Sequence, residues 1–236
     1  MDAINIQNGN FYFVPNYNVS NQVIHVKLRA EERKEKRIQE RKQEILRVAM
    51  ALYETTKLSD ITMKDISQQI SFSRASIYNY FPTKESIFLA FLTEEVRAWD
   101  KELRDVEESD MILSRHDFCR ALADSLQHRQ TMLRLLSFDW GGLKTESEET
   151  DLVRFYSHWD MALDSLRQCM KRFLPAVSKK KQDEFMACLT AYMYGLYPLS
   201  IISEKEKNAM DAAHFLYQPL SLFDAAYMGI DKFLPK

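Results

Sequence analysis

The run Ser73-Arg74-Ala75-Ser76-Ile77-Tyr78-Asn79-Tyr80 crowds hydrogen-bonding side chains onto about two helical turns. Short hydroxyls suit phosphate oxygens, Arg74 can pair bidentately with a guanine edge, and Asn79 can approach a base or a phosphate. Tyr78 and Tyr80 have apolar bodies and polar tips, so each can pack and still offer a hydroxyl. Ile77 and Phe81, four apart, fall on the opposite side and would hold such a helix against a core. Thr62, Thr83 and Lys84 stand at expected helix N-termini, where backbone amides and the dipole attract phosphate. These are side chains for reading or gripping a nucleic acid.

The elements that must carry them can be read from caps and spacing. Thr62-Met63-Lys64-Asp65 places a hydroxyl three residues before an acid, like a capping box, and Met63, Ile66 and Ile70 form one apolar stripe. The sequence predicts a short helix over 62–70 and a second over 73–80, with the Ser73 hydroxyl as its cap. Only Ser71 and Phe72 join them, which is helix-turn-helix geometry with the second helix for the major groove. Pro82 stops that helix. Thr83 then caps a fourth, with Glu85 in its first turn and Phe88, Phe91, Leu92 and Val96 along it toward Trp99. Upstream, a helix from about Leu28 begins densely charged and turns amphipathic at Ile45, Ala49 and Leu52. Residues 29–44 read mainly as a solvated face; Lys34, Arg37 and Arg41 are the candidates there for touching DNA.

Charge is divided in the same sense. Residues 27–88 carry 13 Lys/Arg against 9 Asp/Glu, whereas 89–236 carry 19 against 24. A polyanion could thus be met at the N-terminal third, although the whole chain carries a net charge of −2. With 5 Gly and 6 Pro in 236 residues, turn-formers fall well below the usual ~7% and ~5%, which favours long helices over hairpins. Cys119, Cys169 and Cys188 are odd in number and widely spaced, which fits a reducing compartment, and no apolar run approaches a membrane span. A cytoplasmic location is expected. Residues 1–26 hold six Asn and no helical period. They read as a mobile arm, or as an extended segment packed through Tyr12, Phe13 and Tyr17.

After the acidic stretch near 105–110 the expected architecture stays helical to the end. Phe118, Leu122 and Leu126 repeat every four residues. Met132, Leu133 and Leu136 mark a helix ending at Gly141 and Gly142. Leu152, Phe155, Trp159, Leu163, Leu166, Met170 and Phe173 line a long helix closing at Pro175. Phe185, Leu189, Tyr192 and Leu196 align over 179–196, and the last helix starts near Pro219. That last helix has two apolar seams, one through Leu220, Phe223, Tyr227, Ile230 and Leu234. An element apolar on two sides must be covered on two sides, so a homodimer interface is expected there together with Phe185, Leu189, Tyr192 and Leu196. A ligand pocket is sought among Phe118, Cys119, Leu122, Trp140, Phe155, His158, Trp159 and Tyr192, where bulk meets polarity; aromatics at helical spacing equally describe a core. His116-x-x-Cys119 has no second pair at ligand spacing, so neither metal nor cofactor is expected. There is no Gly-rich phosphate loop and no Gly-x-Ser-x-Gly, so an enzyme is not expected either.

The stretch ITMKDISQQISFSRASIYNYFPTKESIF (61–88) resembles the DNA-binding segment of TetR-family (tetracycline-repressor-like) bacterial transcription regulators. It shares Thr62, Ile66 and Ile70, the serine and variable tripeptide before Ile77-Tyr78, the Tyr-x-Tyr-Phe run, and Lys84-Glu85. The likeness covers about residues 38–92; residues 195–210 also resemble the C-terminal region of some members. It implies an all-α chain: an arm over 1–26, a three-helix helix-turn-helix DNA-binding domain over 27–92, and a helical ligand-binding and dimerisation domain over 93–236. It implies phosphate contacts for Thr62, Tyr78 and Lys84, and contacts near Ser73, Arg74, Ser76 and Asn79. It also implies a homodimer on a palindromic operator, a repressor released by a small-molecule effector that is not identified. The alternative is a DNA-tethered helical protein that recruits a protein partner without sensing a ligand. One departure stands out: Ser71-Phe72 replaces the family's usual Gly-Val. Left-handed geometry at Ser71 would cost on the order of 1 kcal/mol.

Overall fold

The computed structural model describes residues 4–7, 10–13, 17–216 and 219–235, with side chains from residue 29 onward. Ile4–Gln7 (β1) and Asn10–Phe13 (β2) pair antiparallel, Ile4 opposite Phe13. The first helix, Tyr17–Thr55 (α1), begins eleven residues before the expected Leu28. Within the expected arm, residues 4–7 and 10–13 thus pair as strands and residues 17–26 form the first turns of α1. The reason is local: after Pro15 no Pro or Gly interrupts the chain before Thr55.

Among the described side chains of α1, those of its C-terminal part enter the core. Ile45, Ala49 and Tyr53 are buried there against Ile66, Ile77 and Phe81. Met63–Ser67 (α2) and Arg74–Ile77 (α3) complete the head. Both are shorter than predicted, because α2 gives way to turns after Ser67 and α3 relaxes into a turn in which Tyr80 and Phe81 donate to the Ile77 carbonyl at 2.8 and 3.0 Å. Lys84–Glu108 (α4) then belongs to both halves, with Ile87 and Phe88 facing the head and Val96, Trp99 and Leu103 buried in the body. Its start is set by the expected Thr83 cap, with Ser86 as the reciprocal partner.

The body is built on α4 and Glu149–Phe173 (α8). Buried Asp100 accepts from Ser165 Oγ at 2.6 Å, and Cys169 Sγ donates to the Leu103 carbonyl at 3.2 Å. Arg115–Gln127 (α5) buries Phe118 and Leu122, and Trp99 Nε1 donates to Ser125 Oγ at 3.1 Å. Gln130–Arg134 (α6), a π-turn over Leu135–Asp139 and Trp140–Glu146 (α7) follow without a break. Gly141 and Gly142 therefore lie inside α7 instead of ending a helix. Lys179–Ser200 (α9) runs through Pro198, past the expected end at Leu196. Glu204–Ala212 (α10), which the apolar spacing does not announce, buries no side chain. The last helix, Leu222–Phe233 (α11), starts three residues later than Pro219 because Ser221 accepts from Asp224 N at 3.0 Å.

The α11 seam is largely closed by its own chain. Ile230, Leu234, Phe185, Leu189 and Leu196 are each at most 2% exposed within one copy. Arg115 from α5 fastens the end of α11 through Asp231 Oδ1 (2.5 Å) and the Asp231 and Leu234 carbonyls. The 3-4-3-4 spacing therefore serves the α9–α11–α5 core, while Tyr192, Leu220, Phe223 and Tyr227 of the expected set stay half-buried. Gly229 is required here, since a Cβ would overlap the Tyr192 ring. That ring cannot yield: its hydroxyl donates to the Ala225 carbonyl at 2.8 Å and its edge meets Phe233. Gly229→Ala should cost about 1–3 kcal/mol in thermal or urea unfolding; a neutral result would contradict this packing.

Candidate DNA-binding face

Ile77 and Phe81, buried to 0% and 6% exposure, fix α3 and leave its other side to solvent. Ser73, Arg74, Ala75, Tyr78 and Asn79 are exposed on that side, with Ser76 and Tyr80 half-buried at its edge. Arg74 reaches back to the Tyr78 hydroxyl at 3.3 Å, one turn on. Asn79 has no side-chain hydrogen bond among the described residues. Thr62 closes the expected capping box, donating to Asp65 Oδ2 at 2.6 Å and accepting from Asp65 N at 3.3 Å. These Thr62 bonds, its hydroxyl first, hold the Asp65 carboxyl below its ordinary range.

Three roles differ from the sequence reading. Ser73 occupies the N-cap position of α3 but makes no side-chain cap; its hydroxyl pairs with that of Ser76 at 2.8 Å. Thr83 turns inward, taking Ser86 N at 3.1 Å and donating to the Glu146 carbonyl of α7 at 3.4 Å. Lys84 is half-buried, its side chain 21% exposed and its ammonium 3.9 Å from Glu85 Oε1. That ammonium donates to the carbonyls of Leu58, Ser59 and Ile61 at 2.8, 3.2 and 2.8 Å. Its three protons are thus engaged within the head itself. Lys84 closes the 3₁₀ turn Leu58–Asp60 that delivers Thr62 to its cap.

The Ser71-Phe72 turn needs no left-handed residue, since among the described residues the positive-φ side chain is His214. Glu44 of α1 accepts from Ser71 N at 2.5 Å and Ser71 Oγ at 3.0 Å. The backbone bond is the main reason that the Glu44 carboxyl titrates below its ordinary range. Phe72 lies under the Arg41 guanidinium, 4.1 Å from the ring centroid, and edge-on to Tyr80. A glycine is thus replaced by a carboxylate tie and a stacked ring. The same contacts draw α1 to the reading face: Lys34, Arg37 and Arg41 line an open groove of about 370 Å³ with Phe72, Ser76 and Tyr80.

Head and body meet at Tyr53. This ring is 1% exposed and its hydroxyl donates to Asp139 in the π-turn. Arg134 lies over the ring at 3.9 Å and donates to the Tyr53 carbonyl at 2.7 Å. Burial raises the Asp139 carboxyl above its ordinary range, opposed by the Tyr53 hydroxyl and by Arg134. Tyr53→Phe strands that half-buried carboxylate. It should remove about 1.5–3 kcal/mol and lower Tm by several degrees; an unchanged melt would contradict the latch.

The described head, body and caps are matched by two family profiles, "Bacterial regulatory proteins, tetR family" over residues 45–91 and "Tetracyclin repressor-like, C-terminal domain" over residues 93–223. The chain belongs to the TetR family of transcriptional regulators. It is similar to the HTH-type transcriptional regulator EthR of Mycobacterium tuberculosis, 33% identical over 76 residues, which is 32% of this chain and 35% of EthR. The match thus spans about a third of that relative's length. A TetR/AcrR-family regulator from Thermobifida fusca superposes with a TM-score of 0.56 at 13% identity, covering 83% of this chain and 97% of its own. Thermus thermophilus FadR, a TetR-family repressor solved with lauroyl-CoA, gives 0.50 at 14% identity over 82% and 93%. At these identities the likeness is one of fold.

The residues expected to line a pocket do not come together in this TetR-family body. Trp140, Phe155 and Trp159 form one aromatic column, with centroids 4.8 and 5.7 Å apart. Phe118, Cys119 and Leu122 are buried elsewhere, beside a void of only about 20 Å³ that holds Leu122 and Cys169 in its wall. Burial pushes the Cys119 and Cys169 thiols up, to about 11 and 12. Tyr192 packs on α11, and His158 alone of the set faces open space, between α1 and α8. Among the described residues no His/Cys/Asp/Glu group could hold a metal, and no single helix is long and apolar enough to cross a membrane.

Proposed function

We propose that the chain is a homodimeric repressor in which two copies of α3 grip a palindromic operator and a small-molecule effector releases it. The observation that carries this is the one-sidedness of α3. Its apolar face is locked by Ile77 and Phe81, while Ser73, Arg74, Ala75, Tyr78 and Asn79 stand exposed without a protein surface to meet. Thr62 joins them at the edge, and Ser76 and Tyr80 border the basic flank of α1.

Dimerisation is proposed through the outer side of α9, which exposes Ala187, Cys188, Ala191 and Leu199. Gly195 on the same helix has nothing of its own chain near its missing Cβ, which suits close approach by a second helix. Sensing is supported by the fold, which in FadR accommodates lauroyl-CoA. A second reading, a DNA-bound protein that recruits a partner without a ligand, is favoured by the burial of Phe118, Leu122, Trp140, Phe155 and Trp159 in the core. A cytoplasmic site of action goes with either.

Selection of genomic fragments by purified protein at physiological salt, followed by sequencing, tests the proposal. The expected product is a palindrome with half-sites one helical turn apart. Salt-sensitive, sequence-blind recovery would leave the head a tether and favour the second reading.

A further inference from the structure

On the flank where α1 passes α4 and α8, the head and body leave a cleft of about 230 Å³ between them. It opens along α4 into a shallower groove of about 450 Å³ that shares Glu94, Arg97 and His158. The cleft draws Lys42 from α1, Arg97 from α4, and Arg154 and His158 from α8, above an apolar floor of Leu46 and Phe81.

Charge in this cleft is not balanced. Arg97 has no hydrogen bond or ion pair among the described residues. Glu94, a carboxylate of the cleft itself, is held by the neutral Gln43 Nε2 at 2.8 Å and stands against Lys42, Arg97 and Arg154, while Asp100, beneath the groove, is committed to Ser165 (2.6 Å) and Arg104 (2.7 Å). Arg154 meets Asp151 at 3.1 Å yet keeps 58% of its side chain exposed. His158 registers the surplus: burial first, then Arg97, hold its ring below the ordinary imidazole value, and Asp100 only partly offsets them. A guanidinium fork that lacks a carboxylate, as Arg97 does, is suited to bidentate capture of a carboxylate or phosphate.

We propose that this cleft binds a small anion through a carboxylate or phosphate group, held between Lys42 of the head and Arg97 and Arg154 of the body. Such an anion touches both halves, so its affinity depends on the angle between them, and by linkage its binding biases that angle. This coupling rests on the regulator reading above.

The test uses full-length protein with labelled histidine. Inorganic phosphate, pyrophosphate and octanoate are titrated in turn while the His158 Cε1–H resonance is followed by NMR. Affinity for pooled genomic DNA is measured on the same samples. Saturable binding of at least one probe should raise the His158 titration midpoint. Arg97→Gln and, separately, Arg154→Gln should each weaken that binding by at least about tenfold, with the thermal melt and anion-free DNA affinity unchanged. Absence of saturable binding by all three probes, or equal affinity in both variants, overturns the site. Saturable binding with no change in DNA affinity leaves the site standing and overturns its coupling to the head. Absence of DNA binding in the wild type defeats the regulator reading instead, while the titration still judges the cleft.

Discussion

Replacing Arg74 and Asn79 together by alanine should abolish operator recognition and leave the protein folded. Both side chains are exposed on the outer side of α3, so their loss uncovers no core and strands no buried partner. A bidentate base contact is worth roughly 1–3 kcal/mol of discrimination. Losing two such contacts should weaken specific binding by about 10² to 10⁴-fold, measured by fluorescence anisotropy against non-specific DNA. Non-specific affinity should change little, because most phosphate contacts survive. Unaltered specificity in the double variant would mean that α3 is not the reading element.

Lys84→Met is the second large effect, and it separates two roles that look alike in sequence. A lysine after a helix cap suggests a phosphate contact, whose removal would lower the salt dependence of binding by about one unit and spare stability. The structure commits this ammonium to three carbonyls of the Leu58–Ile61 segment instead. Methionine removes the ammonium from those acceptors and leaves Leu58 only the 3.3 Å bond from Ile61 N, with a cost of about 2–4 kcal/mol in head stability. DNA affinity should then fall in step with unfolding of the head, and the salt slope of the folded fraction should not move. A stable variant with a reduced slope would restore the phosphate role.

What was legible in the sequence follows how local each determinant is. The Thr62–Asp65 box, the Thr83 cap and the Ile66, Ile77 and Phe81 positions act within a few residues, and all are found as the spacing predicts. The Glu44–Ser71 tie spans 27 positions and the Tyr53–Asp139 bond spans 86, so neither has a signal in any short window. The internal bonds of Lys84 are silent for the same reason, since its three acceptors lie more than twenty residues upstream. Apolar spacing on α11 was correct as a pattern, but periodicity cannot say which chain covers a face. Here α5 and α9 of the same copy cover it, and α5 seals it through Arg115. The aromatic spacing on α8 likewise marks packing with Trp140, and of the pocket candidates on that helix His158, one step off the stripe, is the one that reaches a cleft.

Hydroxyl-radical footprinting of the wild-type protein on a selected operator tests the central claim most directly. A dimer presenting two α3 segments should protect two patches on one face of the duplex, centred roughly 34–36 Å apart. Both patches should vanish together in the Arg74/Asn79 double alanine variant. A single patch, or uniform protection along the duplex that the variant retains, would contradict the account.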